Sequence, residues 1–248
     1  MIMIPLFLCW GSFLNVVGYR LINEISIISP RSFCPHCTAT INWYDNIPII
    51  SWFILHGKCR RCKKSISILY PAIEILTAII LSLLYFWISP HYFIPYFIFF
   101  SALLITIRTD LEFMLISRFV TIFLIPLGFI LSTAHLLPIT LYESIVGTFI
   151  GYFFLLSIRF FFQLITGKEG MGQGDLDLLA FIGSFTGIIG CWISLLIGSC
   201  VGSFFGLGYQ LFFQPKEQAK IPFGPFLAGG AIIFVLLQES FLQLFIST

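Results

Sequence analysis

Long apolar runs separated by short polar breaks dominate the chain. Residues 2–17, 73–88, 92–107, 119–137, 142–165 and 223–245 hold almost no charge, and each run approaches or reaches the ~20 residues that a helix needs to cross a hydrocarbon core. A further uncharged stretch, 178–213, is too long for one crossing and suits two short ones, with a break expected between Gly187 and Gly190. Lipid cannot satisfy backbone N–H and C=O groups, so such runs must form helices or a closed barrel. They lack the apolar–polar alternation of a barrel strand. The pattern predicts an all-α polytopic membrane protein of about eight transmembrane helices. The long polar interval after the first run divides it into a first helix (1–19), a polar loop (20–72) and a seven-helix remainder (73–248).

Composition and charge sharpen this reading. With 58% hydrophobic and 10% charged residues and a mean hydropathy of +1.01, the chain cannot be an ordinary soluble domain. The 13 Lys and Arg residues all fall on one side when the crossings alternate. Arg20, Arg31, Lys58, Arg60, Arg61, Lys63 and Lys64 lie in or beside the polar loop; Arg108, Arg118, Arg159, Lys168, Lys216 and Lys220 lie at later turns on the same side. The alternate connections carry none, which predicts that the charged side is cytoplasmic. The first run has no basic segment before it and no small-residue cleavage site after it, so it is expected to be retained. A net charge of +2, already explained by topology, gives no ground for nucleic-acid binding. Glu143 and Glu239 are expected near the outer boundary, and Arg159 can snorkel to the interface.

The polar loop contains Cys34-Pro35-His36-Cys37 and Cys59-Arg60-Arg61-Cys62. Two Cys-x-x-Cys turns at this separation suit one tetrahedral zinc ion held by Cys34, Cys37, Cys59 and Cys62. Neighbouring Lys and Arg residues favour the thiolates that such a site needs. With all four positions filled by thiolate, the zinc would be structural. The competing reading of the same residues is a membrane thiol-disulfide oxidoreductase, which a reducing cytoplasm disfavours. Cys9, Cys191 and Cys200 lie in apolar runs and read as small hydrophobes.

Ionisable residues at or within membrane helices are costly and default to functional candidates. Asp110 closely follows the run 92–107, and Asp175 ends the segment Gly172-Gln173-Gly174-Asp175 just before the long uncharged stretch. Two carboxyl groups brought together in a poorly solvated cleft cannot both ionise easily. They share a proton, so that one activates water while the other protonates a scissile carbonyl. Gly172 and Gly174 would let backbone approach an extended peptide there. A non-enzymatic transporter would instead place its ionisable groups near the bilayer midplane, whereas nearly all charges here crowd one face.

In order and spacing the chain resembles the type IV prepilin peptidases, Gly-x-Gly-Asp membrane aspartic proteases. The resemblance is carried by Gly11-Ser12-Phe13-Leu14-Asn15, the two cysteine turns, residues 43–52, Tyr70-Pro71-Ala72-Ile73-Glu74, residues 170–178 and Pro222-Phe223-Gly224-Pro225-Phe226. It implies a bifunctional enzyme of the bacterial inner membrane, with type IV prepilins or secretion pseudopilins as substrates. Such an enzyme cleaves the leader on the cytoplasmic side with Asp110 and Asp175, then N-methylates the new terminus with S-adenosylmethionine; monomer and homodimer both stay open from the sequence. Glu74 and the cysteine module are its methyl-transfer candidates. Two positions depart from the family pattern. Ser117-Arg118 stands where a proline with an acidic or amide neighbour is usual, and Asp177 stands where lysine is usual.

Overall fold

The computed structural model describes residues 3–168, 170–213 and 221–246 of the chain. Helices are α1 (Met3–Ile22), α2 (Ile50–Ile54), α3 (Leu69–Trp87), α4 (Pro90–Phe113), α5 (Arg118–Thr133), α6 (Leu141–Thr166), α7 (Gln173–Phe213) and α8 (Gly224–Ile246). No strand forms among the described residues, only the isolated bridges Phe33–Thr40 and Lys58–Ser65. Five of these helices (α1, α3, α4, α6 and α7) are long and apolar enough to cross a membrane, and α5 and α8 are shorter apolar helices. Helix α7 divides at Gly187, whose φ of 67° and ψ of −166° are not helical. With α7 counted as two and the short α2 set aside, eight long segments remain, as the apolar pattern predicts. Lys216 and Lys220, and the side chain of Glu239, lie outside the described residues.

Helix ends differ from the apolar runs in instructive places. Helix α4 continues past Ile107 to Phe113, so Arg108, Asp110 and Glu112 are helical rather than connecting residues. Arg108 and Glu112 pair one turn apart, an i,i+4 contact that supports such an extension. Helix α5 stops at Thr133 instead of running to Leu137. His135 takes a left-handed φ of 55° and the Ser132 hydroxyl donates to the Ile139 carbonyl, which closes a turn. Helix α6 then opens with a capping box between Thr140 and Glu143.

The chain forms two compact units, Met1–Phe86 and Trp87–Thr248. In the first, the Asn15 side chain of α1 donates to the Tyr70 carbonyl of α3. The buried Arg20 guanidinium closes the loop after α1 by donating to the carbonyls of Ser26, Ile27 and Pro30. In the second, α4 is the buried centre. Phe99 stacks on Phe185 of α7 with ring centres 4.9 Å apart and meets Phe181 at 5.2 Å. Helices α6 and α7 touch backbone to backbone: a Cβ on Gly183 would lie 2.3 Å from the Gly147 carbonyl oxygen. Without a hydrophobic drive between helices in lipid, close approach through small residues is what generates attraction.

Candidate functional site

Within the second unit, both expected aspartates sit at helix ends and come together. Asp110 lies in the last turn of α4, which the left-handed Met114 caps by donating to the Asp110 carbonyl. The Asp110 side chain is buried, and its Oδ2 accepts the backbone N–H of Gly224 at 3.0 Å. Gly224 begins α8, so the carboxylate sits at the positive end of a helix dipole. A Cβ on residue 224 would stand 2.7 Å from that oxygen, which explains why a glycine occupies the position. Asp175 lies in the first turn of α7. Its carboxyl lies beside the Gly172 backbone and within electrostatic range of Asp110.

Ile116, in the turn between α4 and α5, spaces this arrangement. A Cβ on Gly174 would come within 2.7 Å of the Ile116 Cβ, and one on Gly224 within 3.0 Å of its Cδ1. Of the Gly-x-Gly-Asp glycines, Gly172 lies beside the Asp175 carboxyl and Gly174 lets α7 close on Ile116. Nothing in the sequence singles out Ile116, because a wedge of apolar shape has no residue-type signature. Gly224 stands in the sequence only as part of Pro222-Phe223-Gly224-Pro225-Phe226, since a backbone donor carries no side-chain signal.

Asp177 is separated from this pair. Its carboxylate is 3% exposed and accepts from Arg118 Nε at 2.9 Å and from Gln173 Nε2 at 3.4 Å. The two positions that depart from the family pattern thus meet each other. Gln173 also accepts from Arg159 Nη1 at 3.0 Å and donates to the Tyr152 hydroxyl at 3.0 Å, so Arg159 is a structural contact of α7. In the same unit opens an apolar cavity of about 720 Å³ lined by Phe154, Met171, Trp192, Ser199, Phe223 and Phe226 among others. Met171 precedes Gly172 and Phe223 precedes Gly224, so the cavity borders both glycine segments that lie beside the carboxylates.

In the first unit the two cysteine turns are copies of one design. Thr38 donates to the Cys34 carbonyl and Lys63 to that of Cys59; Cys34 and Cys59 donate to Ala39 and Lys64. Thr38 and Lys63 both take left-handed φ, 55° and 59°. The four sulfurs lie within 4.8 Å of one another, and Cys34 and Cys62, from different turns, are 3.9 Å apart. A tetrahedral zinc–thiolate site has sulfur–sulfur edges of roughly 3.8 Å, so the donor set fits a metal ion. Contact across the two turns is what one shared ion requires; two separate redox pairs would close within each turn. The Cys62 backbone N–H holds the Cys59 thiol down at about 7. For Cys62 the Lys64 N–H favours the thiolate, but desolvation and the surrounding thiols push it up to about 11. One thiolate forms readily and a second is resisted, a conflict that a bound dication removes.

The second cysteine turn is joined to residues 43–46 through Arg60. Its Nε and Nη2 make a two-pronged contact with Asp45, and its guanidinium lies 5.6 Å from the Tyr44 ring centre. Glu74 is buried on α3 and accepts the Ile49 N–H at 2.7 Å; Ile49 has a left-handed φ of 62°, unusual for a β-branched residue.

Comparison with known proteins follows the same division. Residues 6–88 match the model of the bacterial peptidase A24 N-terminal domain, and residues 97–207 match that of the type IV leader peptidase family. A prepilin leader peptidase/N-methyltransferase of Aeromonas hydrophila is 34% identical over 255 residues, covering 93% of this chain and 88% of the relative. One of the same name from Bacillus subtilis is 34% identical over 239 residues, with 95% and 93% covered. A type 4 prepilin-like proteins leader peptide-processing enzyme of Escherichia coli O78:H11 is 32% identical, with 93% and 91% covered. No solved structure matches the chain.

Proposed function

The chain belongs to the type IV leader peptidase family, and on that premise we propose that it removes the leader of type IV prepilins or secretion pseudopilins and N-methylates the new amino terminus. The observation that carries the reading is the approach of Asp110 and Asp175 within electrostatic range of each other, with the Gly224 N–H donating to Asp110. The aspartate in carboxylate form takes a proton from water, whose oxygen attacks the scissile carbonyl carbon. The protonated aspartate donates to the carbonyl oxygen, and collapse breaks the C–N bond with a proton passing to the leaving nitrogen. The products are a leader carboxylate and a free α-amine. The apolar cavity beside Met171 and Phe223 suits the apolar segment that begins the mature pilin.

The second activity is assigned to the first unit. S-adenosylmethionine, when bound, supplies an electrophilic methyl group. The new terminus must lose a proton to accept it, and the buried Glu74 carboxylate is of the chemistry that takes such a proton or holds a cationic donor. Zinc on Cys34, Cys37, Cys59 and Cys62 would fold the loop that carries residues 43–54. We place the protein in the inner membrane with the aspartates facing the cytoplasm, as the one-sided distribution of Lys and Arg supports.

Coexpression of a prepilin with Asp110→Asn or Asp175→Asn tests the reading. Each variant should insert and bind metal as the wild type does while the prepilin keeps its leader. Normal processing by either variant would remove that aspartate from the mechanism.

A further inference from the structure

We infer that Arg118 and Asp177 form a positioning pair that fixes the first turn of α7 and thereby the aim of Asp175 toward Asp110; the inference rests on the peptidase reading above. Asp175 and Asp177 are two residues apart on one helix, roughly 200° around its axis, so they leave α7 on opposite sides. Asp175 takes the side of Asp110. Asp177 takes the side of α5 and α6, where Arg118 Nε reaches one oxygen at 2.9 Å and Gln173 Nε2 the other at 3.4 Å. Gln173, the first residue of α7, is itself held by Arg159 and Tyr152 of α6. Both ends of the turn that carries Asp175 are therefore tied down by side chains outside α7.

The segment 116–118 grips this turn twice. Ile116 abuts Gly174, and Arg118 binds Asp177 three residues further on, one helical step along the same side. A rotation of α7 that relaxed the ion pair would change the Ile116–Gly174 contact, and Ile116 is also the neighbour of Gly224, the donor to Asp110. The placement of the charges argues for a purpose beyond solvation. Arg118 opens α5, where the helix dipole disfavours a cation, and Asp177 is a carboxylate only 3% exposed, which without its partners would be costly to bury. Arg118 itself is 64% exposed, so its removal leaves little void.

The test uses the purified full chain in liposomes with a prepilin as substrate. Arg118→Ala and Asp177→Asn should each lower kcat by about 10–100-fold and change KM by less than about threefold, because a misaimed carboxylate costs turnover without loosening the substrate. The double variant should lose no more than the worse single one, and the reversed pair Arg118→Asp/Asp177→Arg should recover to within about tenfold of wild type. Thermal unfolding monitors each variant. Where one fails to insert, Arg118→Lys, which keeps the charge but not the Nε geometry, should still lose about threefold to tenfold in kcat. Wild-type kcat in the single variants, losses that add in the double variant, or a reversed pair that unfolds like wild type yet stays as slow as the singles would each overturn the inference. Asp175→Asn is run alongside. An inactive Asp175→Asn beside an unaffected Arg118→Ala rejects the positioning role alone, whereas cleavage by Asp175→Asn at the wild-type rate removes Asp175 from the mechanism on which the inference rests, and a wild type that cleaves no prepilin rejects the peptidase reading.

Discussion

Gly224 has no side chain to offer, yet its replacement should damage cleavage more than most substitutions on this face. A Cβ at 224 would meet Asp110 Oδ2 at 2.7 Å and Ile116 Cδ1 at 3.0 Å, so Gly224→Ala must displace the carboxylate or the wedge that spaces it. A displacement near 1 Å costs on the order of 10²-fold in turnover, and we expect a loss of that size in kcat with little change in thermal unfolding. Loss of an aspartate itself removes acid–base catalysis of about 10²–10⁴-fold; Asp110→Asn should reach that range in a direct cleavage assay. The aspartates and the cysteines were legible in the sequence because ionisable and metal-binding groups are rare in a chain this apolar, so each one demands an account. Gly224 and Gln173 stood in motifs but without a legible role, and Ile116 was not legible at all, because they act through a backbone N–H, a shared amide and a shape. The Asp177 departure likewise became intelligible only once Arg118 was seen beside it.

At the scale of elements, apolar run length predicted where helices lie but not where they stop. Helix α4 outruns its apolar stretch because an interfacial turn is supported by an ion pair rather than by lipid, and that extension puts Asp110 in a helix. Helix α7 breaks at Gly187 as expected, since its left-handed φ is disfavoured for residues with a Cβ. A Cβ there would have ordinary contacts, the nearest 3.5 Å away at Glu143. Gly187→Ala should therefore cost backbone strain rather than a clash, about 1–3 kcal/mol in a region of φ and ψ essentially reserved for glycine, measurable as a fall in unfolding temperature with cleavage retained. Gly183→Ala, with its Cβ 2.3 Å from the Gly147 carbonyl, should instead prevent a stable α6–α7 pair, read as loss of folded protein after extraction. In the loop, the paired cysteine turns have too small a core to stand alone. Chelation or Cys37→Ser should make residues between α1 and α3 sensitive to protease and abolish methyl transfer, while leader cleavage persists.

In the whole molecule the thiols and Glu74 lie in Met1–Phe86 and the aspartates in Trp87–Thr248, so that on the proposed reading each unit carries one of the two reactions. This division implies an ordered dependence, because the amine to be methylated exists only after the leader is cut. On the proposed reading a pair of aspartates activates water against the leader peptide bond. Single-turnover cleavage of a prepilin by the purified enzyme in oxygen-18 water, with the released leader read by mass spectrometry, tests it most directly. One labelled oxygen is expected in the new carboxylate of the leader with wild type, and no released leader with Asp175→Asn. An unlabelled leader in the first turnover, or release by Asp175→Asn at the wild-type rate, would contradict it.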